Sequence, residues 1–370
     1  MEQKKRAKFV NSNKTQFLKT LKRRIDQYFE DHSLDKKANN KMIVKSIFML
    51  CLYSLPIIAL YVYHLPAWAV LICFSLSGFG VAGVGMGVMH DANHGAYSHN
   101  KLVNQLMGYS LNLMGGFDVN WRHQHNILHH TYTNIAHMDE DIDQRLKMRW
   151  TPHFKYHPAQ RYQHIYAFIA YCLSTLSWIV IKDYRQFYNY SQNGVYKSTK
   201  QEMAMDFVKL FATKIFYHLY ILILPIVWLG YGAGLIIGGF VLMHAIGGFF
   251  LSTVFQLAHV VEGTTFPLPD DKGEIDNEWA IHQMETTADF GHSSKFLTWF
   301  TGGLTHQVEH HLFPDICHIH YPQIAPIVKQ TAEEFGVPYN YNDSYWGALK
   351  SHVVILKKFG LPDDFNLANA

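Results

Sequence analysis

Residues 67–94 read AWAVLICFSLSGFGVAGVGMGVMHDANH, and this stretch decides the fold class. From Ala67 to Met89 it holds no charged side chain, so it can cross a bilayer as one helix of about 20 apolar residues. It ends in His90 and His94, whose i, i+4 spacing places them on one helix face. The sequence therefore predicts a membrane span with a histidine-bearing end.

Further apolar runs on both sides of this stretch complete a membrane domain. Three of them have the length of a span, and they cover residues 43–63, 210–230 and 233–258. The ionisable side chains that interrupt them are Lys45, Lys214, His218 and His244. With 67–89, they pair through the very short links His64–Pro66 and Gly230–Gly232. The pattern predicts an all-α integral membrane protein with four transmembrane helices in two hairpins.

Eight histidines form three clusters in this otherwise apolar chain. They are His90 and His94, then His125, His129 and His130, and then His306, His310 and His311. A neutral imidazole is the commonest metal ligand among side chains, and a buried cluster without a metal would carry a large desolvation penalty. The clusters therefore predict a metal site.

One site needs its ligands on one side of the membrane, so an even number of crossings must separate the clusters. Residues 102–117 form a short, glycine-broken run, which suits an interfacial helix. Residues 165–181 are flanked by polar residues up to Lys200, and we expect them to be interfacial too. The site then belongs to a helical cap at one membrane face.

Basic residues set the orientation. The first 45 residues hold 13 Lys or Arg against five Asp or Glu, which places the N-terminus and the site in the cytoplasm. We divide the chain into a basic segment 1–42, a membrane domain 43–330 and a cytoplasmic C-terminal segment 331–370. The basic segment fits either anionic lipid headgroups or a solvated amphipathic helix. Nothing indicates nucleic-acid binding.

Two motifs resemble binding sites without their context. Gly78, Gly80 and Gly83 match a dinucleotide fingerprint but lie inside an apolar run, which favours close helix packing in lipid. The segment from Asp139 to Asp143 begins like a calcium loop but lacks its later Gly and Glu, so we expect a solvated acidic turn.

The clusters resemble the three histidine boxes of the membrane fatty acid desaturases. The boxes read HDANH at 90–94, HNILHH at 125–130 and QVEHHLFP at 307–314. The third box, which begins with Gln, resembles the front-end, linoleoyl-CoA desaturase-like branch. The resemblance covers roughly residues 45–330.

The resemblance implies a non-haem di-iron site. Its metal ligands would be His90, His94, His125, His129, His130, His259, His310 and His311. Gln307 stands where other branches have histidine, and either Gln307 or its neighbour His306 could contribute. Polar neighbours that could hold the imidazole rings are Asp91, Asn93, Asn126 and Glu309. Helix capping or solvation explains these four equally well.

The implied reaction inserts a cis double bond into a fatty acyl chain, carried on CoA or on a lipid, and reduces O₂ to water. Electrons must come from outside. The only His-Pro pair, His157-Pro158, is followed by Ala159 and Gln160 rather than by the two glycines of a cytochrome-b5-like haem motif. A separate ferredoxin or small cytochrome is therefore implied. The cations that could meet a substrate phosphate, or only set topology, are Arg122, Arg145, Lys147 and Arg149.

Other functions remain open on sequence alone. Lipid hydroxylases and ketolases use similar boxes, so the boxes do not separate them from desaturases. A histidine-rich metal transporter or haem electron carrier is an alternative of another class, although a transporter would place its ligands near mid-span. The host membrane would be a bacterial inner membrane or the endoplasmic reticulum.

Overall fold

The computed structural model describes residues 7–143, 147–196 and 199–362, where the chain is mostly helical. Residues 1–6 and 363–370, the ends of the predicted terminal segments, lie outside the described residues, as does Arg145. The first nine helices are α1 (Phe17–Asp31), α2 (Asn40–Val62), α3 (Ala67–Asn93), α4 (Lys101–Gly108), α5 (Ser110–Leu113), α6 (118–132), α7 (Pro158–Gln192), α8 (Lys200–Val227) and α9 (Ala233–His259).

Shorter elements follow. The later helices are α10 (Trp279–Thr286), α11 (Lys295–Phe300), α12 (Gln307–Leu312), α13 (Tyr321–Phe335) and α14 (Tyr345–Phe359). The strands are β1 (Lys8–Phe9), β2 (Glu274–Ile275), β3 (Asp289–Phe290) and β4 (Tyr341–Asn342). They form two parallel pairs, β1 with β2 and β3 with β4, in which Lys8 is opposite Glu274 and Asp289 is opposite Tyr341.

Five of the described helices are long and apolar enough to cross a membrane, namely α2, α3, α7, α8 and α9. Four of them contain most of the predicted spans: α3 and α9 include all of 67–89 and 233–258, while α2 and α8 include 43–62 and 210–227. The run 165–181 lies inside α7, which also meets the length and composition of a span. The chain is therefore an integral membrane protein, while the count of four spans and their hairpin arrangement stay predictions. The run 102–117 forms the short helices α4 and α5.

The chain divides into two compact units. The histidine unit comprises the described parts of Met1–Lys37, Gln124–Phe168 and Val254–Ala370. The span unit comprises Ala38–His123 and Ile169–Thr253.

Glycines allow close helix packing in the span unit. A Cβ atom on Gly80 would lie 2.5 Å from the backbone nitrogen of Tyr53 in α2. A Cβ atom on Gly78 would lie 2.7 Å from the carbonyl oxygen of Met243 in α9. Only glycine permits such approaches, so the helix-packing interpretation of this motif is confirmed.

The span unit also buries an ion pair. Lys214 Nζ in α8 donates to Asp183 Oδ2 in α7 and to the Gly115 carbonyl, each at 2.6 Å. The indole nitrogen of Trp178 donates to the same carboxylate at 3.0 Å. Both charged side chains are almost completely buried, so each depends on the other for compensation.

The histidine unit packs around the apolar face of α1. Phe17, Leu21, Ile25 and Phe29 recur at an i, i+4 spacing and are buried in one core. That core includes residues of α10, α12 and α13. The N-terminal helix therefore supports the short helix that carries the third histidine cluster.

Candidate metal centre

The first cluster lies at the end of α3, in the span unit. A π-helical turn, Val84–Val88, immediately precedes it, and such turns are frequent at functional sites. The rings of His90 and His94 are 4.8 Å apart between centroids, and Trp121 packs edge-on against both. The structure therefore brings these two histidines together, as their spacing predicts.

The second cluster lies on α6, whose segment Arg122–His129 is a π-helix. Residues five apart lie above one another in this geometry, and Nε2 of His125 is 3.3 Å from Nε2 of His130. His125, His129 and His130 are buried, whereas Asn126 is only partly so. The π-helix thus turns the cluster into the interior of the histidine unit.

Three histidines of the histidine unit form what we call the His129 group: His129, His259 and His311. One ring nitrogen of each lies within 4.8 Å of the other two. Their Nδ1 partners are Asp139 Oδ2 for His129 (3.0 Å), the Thr286 carbonyl for His259 (3.3 Å) and Gln283 Oε1 for His311 (2.8 Å). Each acceptor favours the tautomer with hydrogen on Nδ1, so the Nε2 lone pair is available to a ligand.

This donor set fits a metal ion. Nε2 of His129 is buried and has no hydrogen-bond partner among the described residues. A buried acceptor left unsatisfied is destabilising, and coordination would satisfy it. Three neutral imidazoles, each held by a second hydrogen bond, are typical of metal ligation.

His130, His310 and His311 form the His130 group, in which one ring nitrogen of each histidine lies within 4.8 Å of the other two. Nε2 of His130 is 3.0 Å from Nε2 of His310. Two facing lone pairs would repel at this distance, so the spacing fits a shared proton or a cation between the rings. Tyr321 Oη is 3.3 Å from Nδ1 of His310. Because His311 belongs to both groups, the two candidate positions are adjacent.

Asp139 holds the His129 ring, and the expectation of a solvated acidic turn is wrong for this residue. Its side chain is fully buried, and it also accepts hydrogen bonds from the backbone nitrogens of Asn134 (3.0 Å) and Asp141 (2.9 Å). Burial alone would lower the pKa of His129, but the charge and hydrogen bond of Asp139 outweigh burial and raise it. Asp139 therefore places a buried negative charge beside the His129 group.

The structure places the side chains of Gln307 and His306 in different surroundings. Nε2 of Gln307 lies 3.1 Å from Nε2 of His259, beside the His129 group. The His306 ring instead stacks on His292, with centroids 3.8 Å apart, and its Nδ1 is 3.0 Å from Thr305 Oγ1. Burial lowers the pKa of His306 to about 4. Of the two candidates, Gln307 is the one next to a group histidine.

Although Glu309 belongs to the third box, its side chain is held by Asp289 and Tyr339. Among the described residues it interacts with Asp289 and with Tyr339, whose hydroxyl is 3.1 Å away and donates to Asp289 at 2.6 Å. Burial and the neighbouring Asp289 raise the pKa of Glu309 well above its usual range. Although burial opposes it, the hydrogen bond from His292 lowers the pKa of Asp289. Asp289 also accepts from the Val308 backbone at 2.8 Å, so this network anchors α12.

Two predicted phosphate-binding cations are engaged within the fold. Arg122 donates to Asn93 at 3.1 Å and pairs with Asp118 at 2.6 Å, both in the span unit. Arg149 is fully buried, and it donates to the carbonyls of Pro152, Phe154, Phe359 and Leu361. Arg149 is therefore a structural residue, and of the two roles left open for it, contact with a phosphate is wrong. Asp91 is buried, and Lys147 is exposed.

Comparison with known proteins identifies the family. The family model described as Fatty acid desaturase matches residues 66–343. An acyl-lipid (8-3)-desaturase from Physcomitrium patens is 34% identical, over 96% of this chain and 74% of that protein. The sn-1 linoleoyl-lipid 6-desaturases of Arthrospira platensis and Synechocystis are each 35% identical, over 93% and 96% of this chain and 93% and 98% of their own lengths. The chain therefore belongs to the fatty acid desaturase family, the oxidoreductases that insert double bonds into acyl chains.

Proposed function

We propose that this desaturase inserts a cis double bond into an acyl chain carried on a membrane lipid, with O₂ as oxidant and a di-iron site in the cytoplasmic part of the protein. The observation that carries the proposal is the His129 group, whose three rings each have Nδ1 engaged. Family membership leaves the metal transporter and haem carrier without support.

We assign the metal ligands as follows. His129, His259 and His311 would hold one iron with help from Gln307, and His125, His130 and His310 would hold the other. We propose that His90 and His94 complete the coordination. Imidazole suits iron as a ligand, and iron supplies the ability to activate O₂ against an unactivated C–H bond.

The chain's own residues position the rings. Asp139, Gln283 and the Thr286 carbonyl fix the three Nδ1–H groups, which sets both tautomer and ring direction. An acyl methylene has no acidic proton, so no general base is assigned. Helix α12 is supported by the hydrogen-bond network of Asp289, Glu309 and Tyr339.

Lipid-linked substrate and front-end position are proposed from the relatives. The names of the Arthrospira platensis and Synechocystis relatives specify an sn-1 linoleoyl lipid and position 6. We propose the same substrate class here. A single experiment tests it: expression in a host without polyunsaturated lipids, feeding with linoleic acid, and mass-spectrometric location of new double bonds in separated lipid and CoA fractions.

The expected product is a new double bond at position 6 that appears first in the lipid fraction. His311→Ala is the control, because it removes a residue common to both groups and should abolish the product. A hydroxylated chain without a new alkene would favour the hydroxylase alternative. A product that appears first on CoA would contradict the lipid-linked substrate.

A further inference from the structure

The first histidine cluster is held by the first turn of α6, residues 118–122. The proposed function makes His90 and His94 metal ligands, and the inference rests on that assignment. A ligand whose ring already has one direction loses less conformational freedom when a metal binds. The contacts that hold these two rings are therefore part of the candidate metal site.

One indole ring contacts both imidazoles of the cluster. Trp121 is buried, and its ring packs edge-on at 5.5 Å from His90 and 5.7 Å from His94, measured between ring centroids. The two imidazoles are themselves 4.8 Å apart. An aromatic ring packed against both restricts the rotation of both side chains.

Arg122 joins the same turn to the end of α3. Its Nη1 donates to Oδ1 of Asn93 at 3.1 Å and to Oδ2 of Asp118 at 2.6 Å. Asn93 immediately precedes His94, and Asp118 lies one helical turn before Arg122. One nitrogen atom thus connects the start of α6 to the backbone that carries the second histidine of the pair.

The side chain of Asn93 is enclosed where this hydrogen bond forms. A Cβ atom on Gly108, at the end of α4, would lie 2.7 Å from Oδ1 of Asn93. Nδ2 of Asn93 is 3.6 Å from the sulfur of Met89, one turn earlier in α3. Glycine at position 108 therefore leaves room for the Asn93 amide, whose oxygen is directed at Arg122.

The same turn is also fixed to α7. Asn120 is fully buried; its Nδ2 donates to the Asp183 carbonyl at 2.7 Å, and its Oδ1 accepts a hydrogen bond from the Tyr196 hydroxyl. Asp183 in turn pairs with Lys214 of α8. Charged residues within spans are costly and are commonly functional. Here they fix the turn that contacts the histidines.

We infer that the first turn of α6 positions the first histidine cluster, with Trp121 packing against the two rings and Arg122 acting through Asn93. Arg122 is a positioning residue rather than a ligand for a substrate phosphate. Its charge, which the sequence could also assign to a phosphate, is compensated within the turn by Asp118.

Labelling of metal-free protein tests the ring positions without relying on the metal. Diethyl pyrocarbonate modifies accessible imidazoles, and mass spectrometry locates each adduct. Arg122→Met removes both hydrogen bonds and should raise the labelling rate of His90 and His94 by roughly threefold or more, because labelling follows local opening. His259 and His352, which are fully buried, should stay protected and report that the fold is intact.

Competition with an Fe(II) chelator supplies the second readout. Arg122→Met and Asn93→Ala should each lower iron affinity about tenfold. The double variant should lose no more than either single variant, since both act through one hydrogen bond. Arg122→Lys should restore affinity to within about threefold, because one nitrogen makes both bonds. The matched control is Arg24→Met, whose guanidinium likewise joins a carboxylate, Glu334 (2.6 Å), to a neutral side chain, Thr331 (2.9 Å).

Unchanged labelling of His90 and His94 in both Arg122→Met and Asn93→Ala would overturn the inference, as would an equal effect in the Arg24 control. Unchanged iron affinity in His90→Ala and His94→Ala would refute the proposed ligand assignment, while raised labelling in Arg122→Met would still support the positioning role of the turn. Weaker binding of a short-chain phosphatidylglycerol to Arg122→Met, with unchanged labelling, would assign Arg122 to lipid headgroups and overturn the inference.

Discussion

Replacing Asp139 by Asn should weaken metal binding at the His129 group without unfolding the protein. The carboxylate accepts three N–H donors: Oδ2 accepts from His129 Nδ1 and the Asn134 backbone, and Oδ1 accepts from the Asp141 backbone. An asparagine side chain has only one acceptor atom, so its NH₂ group must face one of these N–H donors without forming a hydrogen bond. Keeping the oxygen towards His129 preserves two bonds and loses the one from Asp141.

The expected magnitude follows from this geometry. The ring of His129 keeps its orientation but loses a charged acceptor, and loss of such a partner lowers metal affinity by about tenfold to a hundredfold. This corresponds to about 1.4–2.8 kcal/mol. The unsatisfied backbone donor should destabilise the fold by about 1–3 kcal/mol.

The assay is competition of purified protein with a chromophoric chelator, with metal content measured by mass spectrometry. The control is Asp141→Asn, because Asp141 Oδ2 is 3.9 Å from His129 Nδ1 and the side chain is partly exposed. We expect less than a threefold change for this control. Affinity of the Asp139 variant within twofold of the unmodified protein would refute the reasoning, as would equal losses in both variants.

Three further predictions concern other sites. Lys214→Met leaves Asp183 charged and buried, so the free energy of unfolding should fall by about 3–5 kcal/mol, and a lower apparent Tm should be largely restored by adding Asp183→Asn. Burial lowers the pKa of His352 to about 4, whereas the same side chain in the unfolded chain has its usual pKa of about 6.5. As the pH falls below 6.5 the unfolded chain therefore binds the proton first, and the free energy of unfolding decreases. Denaturation at pH 7 and at pH 4.5 should show that this decrease is roughly 2–3 kcal/mol smaller in His352→Gln. Gln307→Leu should weaken metal binding about tenfold, whereas His306→Gln should change it less than twofold in the same chelator competition.

The spans were predictable because lipid imposes a length on them. A helix that crosses hydrocarbon must satisfy its backbone internally over about 20 residues, and this fixes both ends of a run such as 67–89, found within Ala67–Asn93. The run 165–181 was harder to interpret. Its helix, Pro158–Gln192, extends into polar sequence on both sides, and hydropathy alone does not distinguish a tilted span from an interfacial helix.

The histidine clusters were predictable from spacing, but their supporting residues were not. Gln283 is 28 residues from His311, and Thr286 is 27 residues from His259, so only the packing of α10 brings these two residues to the rings. Tyr339 reaches Asp289 near the pairing of β3 with β4, two strands of two residues each that carry no clear sequence signal. Such contacts depend on tertiary structure, and no local periodicity records them.

Glu309 and Asp139 show why proximity in sequence to a histidine cluster does not identify the carboxylate that supports it. Glu309 is inside the third cluster, yet burial and the neighbouring Asp289 raise its pKa, and its side chain accepts a hydrogen bond from Tyr339. Asp139 is ten residues from His129, but Asn134, with a φ of 59°, turns the chain so that the carboxylate meets the ring. Since a carboxylate bonded to Nδ1 orients the ring and raises its basicity as a ligand, Asp139, outside the motif, matters more to the His129 group than Glu309 within it.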